Sequence, residues 1–130
     1  MDLALRELKD TGAAVAVTIF RPSHDQEVPV IAAADPHAVD ARLRPHLGEL
    51  LCVVASRWTR PQLDAVRDHL RARREAWNIY LSGEFTTEDG QPYMSAQLTC
   101  VLPEVAPWAV SLPIGILSLD PWLRRNYPAS

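Results

Sequence analysis

The residues with the clearest chemical potential are arginines. Arg60, Arg67, Arg71 and Arg74 recur at a spacing that places them within roughly 60° of one another on a helix, with Arg57 and Arg73 close by in sequence. The planar guanidinium fork binds phosphate and carboxylate bidentately, so such a stripe suits a nucleic acid or an acidic protein partner. Asp64, Asp68 and Glu75 occupy the adjacent strip, and Arg60–Asp64, Arg71–Glu75 and Asp68–Arg71 are helix-spaced pairs. A solvated face whose charge is answered within the helix is therefore the plainer reading, and it outweighs the other two.

A second group is uncharged. If Trp77–Phe85 and Tyr93–Leu102 are paired strands, alternation puts Tyr80, Ser82, Tyr93, Ser95, Gln97 and Thr99 on one outward face. Tyrosine among small polar residues suits protein contact, because it offers rigid area at low entropy cost. Stacking on nucleic-acid bases would want basic neighbours, and this segment has none. An ordinary solvent-facing sheet competes with the contact surface. Near the C-terminal end, Trp122, Arg124 and Arg125 are residue types common at interface hot spots, although Trp122 and Leu123 could instead close an open edge of the core.

Other chemistry finds little support. His24, His37, His46 and His69 are scattered; Asp35, His37 and Asp40 form the least poor metal set, and no HExxH or carboxylate-rich loop accompanies them. Neither Cys52 nor Cys100 adjoins a histidine or a glycine-rich turn, and GxSxG, GxGxxG and Walker-type loops are absent. The sequence thus assigns no catalytic residue, no metal ligand and no cofactor, and it points away from an enzyme. The two cysteines read as buried thiols behaving like small apolar residues, with a single disulfide as the alternative.

Charge refines the partner question. The net charge is −3, whereas a domain that grips a phosphate backbone is usually basic. The distribution is uneven: residues 40–75 carry eight arginines against five acids, and residues 76–123 carry five acids and no basic residue. The beginning, MDLALRELKD, is charged and lacks an apolar core after a basic start, and the apolar runs elsewhere are too short to span a bilayer. The expected location is the cytoplasm, away from membranes.

The elements that must position these residues follow from periodicity and punctuation. Residues 2–10 suggest a short helix before Gly12. Ala13–Arg21 and Val28–Ala33 read as strands, the second tolerating Pro29 as an edge strand does. Asp35-Pro36 is a capped helix start, with Val39, Leu43 and Leu47 on one face and Pro45 limiting the regular part. Glu49–Ala55 reads as a central strand. Thr59 and Gln62 form a capping box for a helix that runs to about Trp77, with Leu63, Val66, Leu70 and Trp77 on its core-facing stripe. The two alternating segments follow as a hairpin around Asp89-Gly90, with Trp77, Ile79, Leu81 and Phe85 facing in on the first strand and Met94, Ala96, Leu98, Cys100 and Leu102 on the second. Trp108–Leu117 reads as an edge or bulged strand, and Asp120-Pro121 opens a short helix over 122–126. No sequence repeat or linker appears.

Together these elements predict a single α+β domain over residues 1–130. It would have a mostly antiparallel sheet of five or six strands and two main helices packed on one side. The expected function is a small non-enzymatic protein-binding module: an inhibitor, an immunity-like protein, an adaptor or an assembly subunit. Its partner would be another protein or a second copy of the chain. A nucleic-acid-binding or regulatory protein that uses the arginine helix is the alternative.

Overall fold

The computed structural model describes Arg6 and residues 13–47 and 51–121. Of the expected helix over 2–10 only Arg6 is described, and the expected helix over 122–126 lies outside the described residues, as do Trp122, Arg124 and Arg125. The class is α+β, with six strands and three helices among the described residues, but there is no single large sheet. Two three-stranded mixed sheets replace it, and chain contacts divide into two compact units: residues 1–60 with 86–92, and residues 61–85 with 93–130.

The first unit holds β1 (Ala14–Ser23), β2 (Gln26–Ala33), α1 (Pro36–Leu47) and β3 (Cys52–Ala55). β1 and β2 are antiparallel and β3 runs parallel to β2, giving the order β1-β2-β3. A parallel neighbour requires a crossover, and α1 supplies it. Its start is the expected one: Pro36 is its first residue, and the Ala38 N–H donates to Asp35 Oδ1 at 3.2 Å. α1 continues through Pro45 to Leu47. Val39 and Leu43 on α1 pack with Ala14, Ile31, Ala33 and Leu51, forming the core on one face of this sheet.

Several expectations fail here for physical reasons. β3 is an edge strand rather than a central one, and it begins at Cys52. β2 is central and nevertheless holds Pro29. The parallel ladder starts only at Val30, so Pro29 lies beyond its end and its missing N–H breaks no bond to β3. Cys52 is exposed and Cys100 half-buried, and both thiols are free.

The second unit follows the same order of events. α2 (Arg60–Ala72) precedes β4 (Ile79–Thr86), β5 (Pro92–Leu98), α3 (Val105–Ser111) and β6 (Leu117–Pro121). β4 and β5 are neighbours joined across a short turn, which makes them antiparallel, and β6 is parallel to β5. Both units thus contain a hairpin, a crossover helix and a strand parallel to the hairpin's second strand. The repeat exists in topology although the sequence shows none.

Leu63, Val66 and Leu70 are buried on α2 as the helical period predicts. α2 stops at Ala72 rather than Trp77; Trp77 lies in the following turn, where Asn78 takes a φ of 54°. That left-handed conformation is one asparagine tolerates better than most residues. The expected strand over 108–117 is instead α3 and its exit. Pro107 is the third residue of α3, within the first turn, where a backbone N–H has no intrahelical partner to lose. Asp120 and Pro121 end β6 and start no helix within the described chain.

Candidate functional site

The β4–β5 hairpin builds the most distinctive surface of the second unit. On β5 the alternation is regular: Met94, Ala96 and Leu98 are buried, while Tyr93, Ser95 and Gln97 are half-exposed. β6 extends both faces in register, Ser95 opposite Ser118 and Gln97 opposite Asp120. The Phe85 ring lies 6.1 Å from that of Tyr93, so Phe85 belongs to the outer face. A Cβ built on Gly83 would point at the same ring, 3.7 Å away, and alternation brings Leu81 to that face as well. Leu81 and Phe85 are 49% and 46% exposed.

This corrects the expected facing of β4. Leu81 and Phe85 were expected inside and lie outside, beside Tyr93; Tyr80 and Ser82 were expected on that outer face and have the opposite parity. Tyr80 is exposed all the same. Ile79, of the same parity as Leu81, is buried. The apolar alternation of β4 therefore does not mark one buried face along the whole strand. The outer face grades from an apolar stripe on β4 through Tyr93 and the hydroxyls and amide of Ser95, Gln97 and Ser118 to the carboxylate of Asp120.

The arginine stripe is present on α2 and is engaged in contacts of its own. Arg67 forms an ion pair with Asp64 at 3.1 Å and donates to Asp68 at 3.2 Å. Arg67 thus takes both neighbouring carboxylates. The Arg60 guanidinium donates to the Val15 carbonyl at 2.9 Å, which makes it a structural tether. Arg71 and Arg74 are exposed. The carboxylates that hold Arg67 lower the positive potential a phosphate backbone would meet.

The chain matches no protein-family model, no curated protein and no solved structure.

A cluster that the sequence reading missed lies on the other side of α2. His69 stacks on Trp108 with ring centroids 4.1 Å apart and planes 8° from parallel, and Trp77 sits 5.4 Å from both rings. Arg73 lies over Trp77, 5.7 Å from its centroid. His69 Nε2 is buried without a hydrogen-bond partner. Burial, and then the nearby Arg73 charge, hold the His69 pKa below its ordinary value. The signal was in the sequence, since His69 follows Val66 by three residues and precedes Trp77 by eight, but Trp108 had been placed on a strand.

A pH dependence follows. The unfolded chain takes up the histidine proton at an ordinary pH, and the folded chain resists it to a lower one. Folding stability is therefore expected to fall as pH drops from about 7 toward 5. Urea melts followed by tryptophan fluorescence at a series of pH values measure this directly. His69→Phe should flatten that part of the profile; an unchanged profile would show that the imidazole does not carry it.

Among the described residues, no three His, Cys, Asp or Glu side chains gather to hold a metal ion. No helix there is long and apolar enough to cross a membrane.

Proposed function

We propose that the chain is a protein-binding module that docks its partner on the outer face of the β4–β5 hairpin. The observation that carries this reading is the half-exposed pair Leu81 and Phe85 next to Tyr93, with Gly83 keeping the surface between them low. Large apolar side chains on one strand face gain free energy when a partner removes them from water, at roughly 25 cal/mol per Å². Aromatic residues at the centre with a polar margin are the usual composition of an interface core. Here Ser95, Gln97 and Asp120 supply the margin.

The partner is another protein or a second copy of the chain. Leu81→Ser with Phe85→Ser tests the surface, because both side chains are half-exposed and the double variant should fold. Light scattering at micromolar concentration and tagged capture from lysate, with and without nuclease, should show self-association or a stoichiometric partner. The double variant should lose either one at least tenfold, and Arg71→Ala should keep it. A partner held equally by wild type and the double variant, or neither self-association nor a partner in wild type, would overturn the proposal. A complex that dissolves on nuclease treatment would turn attention to α2.

A further inference from the structure

The first unit holds a half-open trough of about 730 Å³ on the sheet face opposite α1. Its floor follows from strand register. Thr18 pairs with Val30, Val30 with Cys52, and Phe20 with Val28, so these five side chains share one face. Phe20 is 58% exposed there. The wall is the hairpin turn over residues 87–90.

That wall is fixed in place. The Gln91 side chain donates from Nε2 to the Ala55 carbonyl at 2.8 Å, and its Oε1 accepts the Arg57 N–H at 2.9 Å. The amide thus pairs with the end of β3 as a neighbouring strand would. The hydroxyls of Thr18 and Thr86 meet at 3.0 Å. Gly90 is pressed on the floor so closely that a Cβ there would lie 2.6 Å from Val30 Cγ1. A wall latched by its own hydrogen bonds leaves little ordering entropy to be lost when a ligand binds.

The charge of the trough has one sign. Glu88 and Asp89 line the wall, and among the described residues no Lys, Arg or His lines it. Asp89 accepts the Thr87 hydroxyl proton, and that bond, with Arg57 nearby, keeps its carboxyl below the usual range. Glu88 is therefore the carboxylate better placed to answer a ligand. We propose that the trough binds a small organic cation, an amine carried on an apolar body, with the body over Phe20, Val28 and Val30 and the ammonium toward Glu88. The volume lies within the range of small-molecule sites, and the apolar floor with one acidic wall matches that chemistry. This site is independent of the docking face on β4–β5.

Three probes of one shape and different charge test it on the full chain: 4-phenylbutylamine, 4-phenylbutan-1-ol and 4-phenylbutanoate. The amine should bind about fivefold tighter than the alcohol, and the acid more weakly than either. Cys52, exposed on the floor, is the reporter: bound amine should slow its alkylation by iodoacetamide, with Cys100 as internal reference. Glu88→Gln should abolish the preference for amine over alcohol while leaving the alcohol's affinity unchanged. Phe20→Ala should weaken all three. Equal affinities for the three probes, a preference that survives Glu88→Gln, or no protection of Cys52 would each overturn the proposal. So would protection of Cys52 that grows with protein concentration alone, which would give the trough to a second copy of the chain.

Discussion

Leu98→Asp is expected to unfold the second unit, while Gln97→Asp, one residue away, should leave it folded. Leu98 is 1% exposed at the end of β5, and its register partner Pro121 ends β6. The substitution removes the burial of a leucine, worth about 2–3 kcal/mol, and puts a carboxylate into a buried apolar position. Breaking the balance of a buried site in this way costs several kcal/mol more, comparable with the whole stability of a domain this size. The aspartate could avoid the penalty only by taking up a proton or by opening the strand. Gln97 faces outward, half-exposed, so an aspartate there stays hydrated. Asp120, opposite in register, is an adverse neighbour, and a like-charge pair across strands is worth at most about 1 kcal/mol. Urea melts of the two variants should therefore differ by more than 3 kcal/mol. Equal melts would mean that β5 presents the other face to the core.

The same strand shows what could be read from the sequence. β5 alternates without a fault because both of its neighbours, β4 and β6, hold it in a sheet with one covered face. A pattern with period 2 reports that situation directly. β4 shows a similar apolar alternation, but Phe85 shares the outer face of Tyr93, so Leu81 and Phe85 read as core and lie at the surface. Asp35-Pro36 and the stripe Leu63, Val66 and Leu70 were legible for a similar reason: each rests on bonds or packing within a few residues. α3 was not, because Pro107 looks like a break when its place in the helix is unknown. Losing α3 also hid the parallel pairing of β5 with β6, since a crossover needs an element to make it. In the first unit, the elements for a parallel pair were all in view, strand, helix and strand, and the pairing could have been inferred from them.

The candidate sites depend even more on distant contacts. The stripe of Arg60, Arg67, Arg71 and Arg74 is a local feature, and its spacing was correct. What the arginines do depends on Asp64, Asp68 and the Val15 carbonyl, and the last of these is 45 residues away. The trough required the register of three strands and the position of a turn that belongs, in sequence, to the other sheet's hairpin. No local pattern announces such a place.

Gly90→Ala is the sharpest test of that turn, with an expected loss of about 2–4 kcal/mol and a Tm lower by about 10 °C. Two effects act together. Gly90 has a φ of 87°, where a side chain is strained, and the new Cβ would lie 2.6 Å from Val30 Cγ1. Valine in a strand is stiff about χ1, so the methyl cannot swing aside freely. The strain and the clash can be separated. Asparagine tolerates positive φ but also carries a Cβ, so Gly90→Asn should be nearly as harmful as Gly90→Ala if the clash dominates. Val30→Ala removes the opposing methyl. Combined with Gly90→Ala it should restore part of the loss, giving a coupling of about 1 kcal/mol in a double-mutant cycle. A rescue by asparagine together with no coupling would assign the whole effect to backbone strain, and the close approach of turn to floor would be wrong. If the coupling is present, the added methyl must lift residues 87–90 away from Val30, and the wall that carries Glu88 moves with it. The preference of the trough for amine over alcohol should then shrink in Gly90→Ala and recover in the double variant, although neither substitution changes a charge.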